Sequence, residues 1–222
     1  MKFTYLGHAS FRVESNGKAI FVDPWLNGPT SPIKVEEVEN ADIVLVTHDH
    51  GDHGYAEGID ICKKTEAFFV AINELALQAK SAGLEKVHTL NVGGSIDIDG
   101  IIVTLTQAFH SCGKGAPTGF IVQTPEGTFY HAGDTGIFSS MELFGEMYPL
   151  TVALLPIGSY YTMDTKQAAH ATKMLKPKYV IPMHYDTFPV VKADPEEFKQ
   201  LVSDSSPKTA VKVLKPGESV EI

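Results

Sequence analysis

Arginine is all but missing from this chain: Arg12 is the only one in 222 residues. Recognition of phosphate-rich partners leans on the planar, bidentate guanidinium, so lysines such as Lys114 and Lys166 remain only as point charges. With a formal net charge of −9 as well, a nucleic-acid partner held by clustered cations is disfavoured. Cysteine is scarce too. Cys62 and Cys112 form neither a disulfide framework nor a Cys-x-x-Cys motif, which fits a reducing compartment. No apolar run approaches the ~20 residues that span a bilayer, and the N-terminus opens on strand-like sequence rather than on a basic segment followed by an apolar one. A cytoplasmic protein with no membrane association is therefore expected. Also lacking are a Pro/Gly/Ser-rich linker, a low-complexity tract and an internal repeat. At 43% hydrophobic content the chain can bury one large core, and a single domain over residues 1–222 is expected.

What is present begins with strand-like runs at 3–6, 11–14 and 19–23, joined by short turns that include Asn16-Gly17, a strong hairpin signal. An antiparallel meander is predicted there. Further runs at 43–47, 101–108, 119–124, 128–131, 152–156 and 179–183 supply more strands, many of them apolar on both faces, as buried strands are, and in need of cover on both sides. Helices supply it. Asn73 is placed to cap a segment carrying Leu75, Ala76, Ala79 and Ala82, and Asp164 with Gln167 forms a capping-box-like start before Ala168, Ala171 and Leu175. Asp194 and Pro195 open a third helix, predicted to run to about residue 203 behind Phe198, Leu201 and Val202. The fold class is α/β with two mixed sheets held between helices.

The chemistry is concentrated at 48–53, His-Asp-His-Gly-Asp-His, directly after the apolar run 43–46. His48 and His50 point the same way while the backbone stays extended, and Gly51 lets the chain turn so that Asp52 and His53 face a second point nearby. Two half-sites result, each short of ligands. His110, Asp134 and His184 all follow strand C-termini and can complete them.

These motifs, together with Gly-Asp-Thr at 133–135 and Met-His-Tyr at 183–185, resemble the metallo-β-lactamase-fold hydrolases over nearly the whole chain. Leu-Gly-His-Ala-Ser at 6–10 and Val-Asp-Pro at 22–24 are similar to the branch of metal-dependent hydrolases related to ascorbate-6-phosphate lactonase. The resemblance implies a four-layer αββα sandwich. It implies that His48, His50 and His110 hold one metal, that Asp52, His53 and His184 hold the other, and that Asp134 bridges them. Imidazole and carboxylate ligands without cysteine suit Zn²⁺ or Mn²⁺, with Fe²⁺ as an alternative. Two divalent ions outweigh the charge of Asp52, Asp134 and one bridging hydroxide, so a net positive centre remains to polarise a carbonyl or phosphoryl oxygen. The expected activity is hydrolysis of a small-molecule ester or lactone by metal-bound hydroxide, with Asp52 orienting that hydroxide or receiving its proton.

His8, in the turn between the first two strands, is a candidate to donate to a substrate or leaving group, balanced evenly against a structural role. Asp23 is read as a residue that fixes a loop or orients a ligand histidine. His131 is favoured as a structural histidine, His170 as solvated and His88 as an ordinary strand residue, while Cys112 is left unassigned. Gly93-Gly94 reads as a turn, since no Lys-Ser/Thr follows it, and 158–163 with Tyr160 and Tyr161 as a pocket wall. Phosphodiester cleavage is the weaker reading on charge grounds. A redox diiron reading would want Glu where His50 stands, and a non-catalytic reading would predict missing ligands. The expected partner is a small-molecule substrate, and a homo-oligomer is allowed by the resemblance, which includes assembling members.

Overall fold

A computed structural model describes residues 1–222 and arranges fourteen strands in two seven-stranded sheets. The opening meander forms as expected, with β1 (Lys2–Gly7), β2 (Ser10–Ser15) and β3 (Lys18–Val22) pairing antiparallel. Asn16 and Gly17 both take left-handed backbone, φ 50° and 74°, as a two-residue hairpin turn matching the strand twist requires. From β3 the first sheet turns parallel through β4 (Ile43–Leu45), β5 (Phe68–Ile72) and β6 (Val87–Leu90), and a short β14 (Ser219–Glu221) closes its other edge against β1. Parallel neighbours need crossovers. Helices α1 (Tyr55–Thr65) and α2 (Asn73–Ser81) provide two of them.

The second sheet repeats the plan. Strands β7 (Ser95–Ile98), β8 (Ile101–Gln107), β9 (Thr118–Thr124) and β10 (Gly127–His131) are antiparallel, and β11 (Leu150–Pro156), β12 (Tyr179–Met183) and β13 (Ala210–Val211) continue parallel. Their crossovers are α3 (Ser140–Met147), α4 (Thr165–Leu175) and α5 (Pro195–Ser205).

The period-two pattern sorts side chains into two cores. Along β9–β12, Phe120, Val122, Phe129, Val152, Leu154, Ile181 and Met183 face the first sheet and join one 41-residue cluster with Phe3, Phe11, Ile20, Val44 and Phe69. Their neighbours Ile121, Tyr130, Ala153, Leu155 and Val180 face the other way, onto Met141, Ala168, Leu175, Phe198 and Val202 of α3–α5. This alternation, apolar on both sides, produces the four-layer αββα sandwich. No helix is long and apolar enough to cross a membrane.

Local signals held where chemistry was explicit. Asp164 accepts from the Gln167 amide at 2.7 Å and Asp194 from the Glu196 amide at 2.9 Å, with Pro195 in the first turn of α5. Asn73 is a correction: Ile72 occupies the cap of α2 with no side-chain bond, and Asn73 is the first helical residue. Ala82 is exposed beyond the helix end rather than part of its apolar stripe. Strand β4 stops two residues earlier than the expected strand 43–47, because the Thr47 amide leaves the sheet to donate to the Asp23 carboxylate at 2.8 Å.

Candidate metal centre

The carboxyl ends of the strands converge on one edge of the sandwich, where open α/β sheets bind ligands. Asp23 follows β3, His48 follows β4, His110 follows β8, Asp134 follows β10 and His184 follows β12. The Asp52-His53 pair sits on a 3-10 turn at Gly51–His53, and Gly54 behind it takes φ 66° against the backbone of Pro24 and Trp25, where a Cβ would collide. Only glycine lets the motif lie that close.

All seven residues expected as ligands come together. His48, His50 and His110 form one group, His8, Asp52, His53 and His184 a second, and Asp134 lies with His48 and His53; within each group the ligand atoms are no more than 4.8 Å apart. His50 Nδ1 lies 3.0 Å from His48 Nε2 and 3.3 Å from His110 Nε2. Tetrahedral nitrogens at ~2.0–2.1 Å from a zinc-sized ion are about 3.3 Å apart, so this spacing suits a common ion. Asp134 reaches the second group, with His53 Nε2 3.3 Å from its Oδ1 and His184 Nε2 3.0 Å from its Oδ2. Even so, His53 Nε2, Asp134 Oδ1, both His184 ring nitrogens and His8 Nε2 are buried with no aligned hydrogen-bond partner. Buried polar atoms rarely stay unsatisfied. Atoms that crowd one another without pairing fit ligands aimed at a shared cation, so the donor set present here suits divalent metals.

Behind the ligands a buried scaffold fixes their orientation. Asp23, fully buried, accepts from the Thr47 amide at 2.8 Å and the Thr47 hydroxyl at 2.7 Å, and contacts His53 Nδ1 at 2.7 Å. The single Thr47 hydroxyl proton goes to Asp23, so His48 Nδ1, 3.0 Å from Thr47 Oγ1, must donate, which leaves its Nε2 lone pair for the site. The orienting role read for Asp23 is thus occupied. Thr47 was missed, and no sequence signal marks it: a strand-end threonine is common.

Electrostatics follow burial. Burial holds the His48 imidazolium down to about 2 and the His8 imidazolium down to about 4, the latter against the pull of Asp52. Burial also lowers His110. Neutral imidazole is the form that binds metal. His53 is different: burial disfavours its charge, yet Asp134 and Asp23 on its two sides raise it well above the usual value. Burial likewise opposes ionisation of Asp134, and the charges of His53 and His184 more than offset this, holding it well below the usual carboxylate range.

The remaining histidines sort cleanly. His8 is buried, its Nε2 3.2 Å from Asp52 Oδ2, its Nδ1 2.9 Å from Thr187 Oγ1 and its ring 3.9 Å from that of His184. The His184 amide donates to the His8 carbonyl at 2.7 Å, which clasps two residues held at φ 54° and 56°. His131 is structural, as favoured: its Nε2 donates to the Ala9 carbonyl at 2.8 Å and its Nδ1 accepts from Gly133 at 3.1 Å, tying the His8 loop to the Asp134 loop. His170 is exposed and His88 lies in β6. Asp49 turns away from the cluster and accepts from the Gly113 amide at 2.7 Å, pinning the loop that carries Ser111 and Cys112. Gly93-Gly94 is a turn, and Tyr161 lines the cleft as expected of 158–163. The cleft, about 580 Å³, exposes His50, Asp52, His110, Asp134 and His184 and is also lined by Phe188 and Val190, which sequence reasoning missed.

Residues 2–184 match the family described as Beta-lactamase superfamily domain. The chain is 47% identical over 227 residues to a UPF0173 metal-dependent hydrolase of Pyrobaculum islandicum, covering 100% of both chains. It is 47% identical to a protein of the same name from Staphylothermus marinus, covering 97% of this chain and 96% of that one. Among solved structures it is similar to Igni18, a novel metallo hydrolase from Ignicoccus hospitalis, at 43% identity and TM-score 0.92, covering 99% of this chain and 97% of that one.

Proposed function

The chain belongs to the beta-lactamase superfamily and is a metal-dependent hydrolase, and from that premise we propose that it hydrolyses a small-molecule ester or lactone at a dinuclear centre. The observation that carries the reading is the convergence of the seven expected ligand side chains in three groups linked through His48 and His53, with buried ring and carboxylate atoms left without partners. His48, His50 and His110 would hold one divalent ion, Asp52, His53 and His184 the other, with Asp134 between them. Bound there, Zn²⁺ or Mn²⁺ supplies Lewis acidity toward the substrate oxygen and activates water near neutral pH.

The chain's own groups do the rest. Asp52 reaches the cleft surface, where it can orient the attacking water and take its proton. His8 does not line the cleft; buried behind Asp52 and His184, it is suited to hold that carboxylate in place and to act on the reaction through it. Thr47 and Asp23 keep the imidazole lone pairs of His48 and His53 directed inward. The surroundings exclude water from the rear of the site, since His48 and His53 are fully buried and do not line the cleft.

The test is hydrolysis of generic aryl esters, γ-lactones and bis(4-nitrophenyl) phosphate by chelator-treated protein with and without added Mn²⁺ or Zn²⁺. Metal-restored turnover of esters or lactones, absent in His48→Ala, is expected. Turnover of the phosphodiester alone would replace the acyl reading by phosphodiester cleavage.

A further inference from the structure

The floor and the walls of the metal cleft differ in chemistry. The floor is polar, while one wall is built by Tyr161 from the loop after β11 and by Phe188 and Val190 from the loop after β12. Tyr161 is 54% and Val190 47% exposed, so their side chains are open to a ligand in the cleft. At about 580 Å³ the cleft greatly exceeds the ~30 Å³ that a water occupies, so space remains for a substrate group beyond the reacting bond. Neither lysine nor arginine lines it. A phosphate carried on the substrate away from the reacting bond would find no cation to receive it.

The wall is held in shape. Phe188 rests on Trp25, with ring centroids 5.9 Å apart, and on His8 at 5.5 Å. Tyr160 meets Tyr161 edge-on at 4.7 Å, and their loop is pinned where Ser159 donates to the Met163 carbonyl and Met163 to the Thr135 carbonyl, each at 3.0 Å. Ser159 and Tyr160 sit at φ 59° and 60°, conformations that persist only when surrounding contacts impose them. A preformed apolar wall beside a polar floor is the usual plan of a small-molecule site.

Building on the acyl-hydrolase reading above, we propose that Tyr161, Phe188 and Val190 form a subsite for an uncharged aliphatic or aromatic group of the substrate, and that the cleft discriminates against substrates carrying a phosphate there. Trp25 gives a readout independent of turnover. It is the only tryptophan in the chain and touches the wall through Phe188.

Metal-free full-length protein is titrated with octanamide, acetamide and hexyl phosphate while Trp25 emission is followed. Octanamide is expected to give a saturable change, at least tenfold tighter than acetamide or hexyl phosphate, and Val190→Asp to weaken it about tenfold by placing a charge in the subsite. With Mn²⁺ added, kcat/KM for 4-nitrophenyl esters from acetate to octanoate should rise about twofold per methylene through KM. Complete burial of each methylene would give about fourfold. A flat chain-length profile with no Trp25 response, alongside metal-dependent ester hydrolysis, would overturn the subsite and leave the hydrolase reading standing. Saturable octanamide binding without hydrolysis of any ester would keep the subsite and remove the acyl reading. Hexyl phosphate binding as tightly as octanamide would overturn the discrimination against phosphate.

Discussion

Replacing Asp23 by asparagine tests how the buried scaffold governs the metal centre. The shape is kept, and Oδ1 can still accept from the Thr47 amide, now 2.8 Å away. The changed atom is Oδ2, which stands 2.7 Å from both the Thr47 hydroxyl and His53 Nδ1. An amide nitrogen there donates, so His53 Nδ1 must accept and its proton moves to Nε2, the atom facing Asp134 and the site. A protonated Nε2 has no lone pair for a metal. Loss of such an orienting partner weakens metal affinity about 10–100-fold, or ~1.4–2.7 kcal/mol. Exchanging charge-assisted for neutral hydrogen bonds in a fully buried cluster adds a folding cost of about 1–3 kcal/mol. Competition against a chromophoric chelator gives the first quantity and denaturant unfolding of metal-free protein the second. Asp23→Asn protein that folds and binds metal with unchanged affinity would refute the tautomer argument.

Other perturbations separate fold from site. His50 is half-buried at the cleft surface and its ring partners are His48 and His110, so His50→Ala should lose metal binding more than about a hundredfold while unfolding stays within ~0.5 kcal/mol of the parent. Gly54→Ala combines a φ of 66° with collision against the Pro24 backbone; it should lower stability by more than about 1 kcal/mol and reduce metal affinity by displacing His53. Burial pushes the Cys62 thiol up to about 12, whereas Cys112 is half-buried, so iodoacetamide at pH 8 should label Cys112 first and Cys62 only after unfolding, as peptide mapping would show.

Much of the site was legible because its ligands cluster in sequence and at strand ends. His48, His50, Asp52 and His53 lie within six residues, and His110, Asp134 and His184 each follow a buried strand whose end could be read. The scaffold was less legible. Thr47 and Phe188 act through contacts with partners 24 residues or more away, Asp23 and His8, and neither residue type announces such a role. Helices with a cap signal, α4 and α5, were found; α1 was not, since it starts on a left-handed glycine and carries Gly58, Ile59 and Ile61, poor helix formers that serve to bury a face. Strand β7 was missed because it is half exposed and only four residues long.

The most direct test of the account is metal content per chain, measured by elemental analysis on gently purified protein after loading with Mn²⁺ or Zn²⁺ and removal of excess. About two equivalents in the parent, falling on chelation together with hydrolytic activity and reduced in His48→Ala, is the predicted result. Less than about a tenth of an equivalent under every loading condition, or turnover indifferent to chelation, would contradict it.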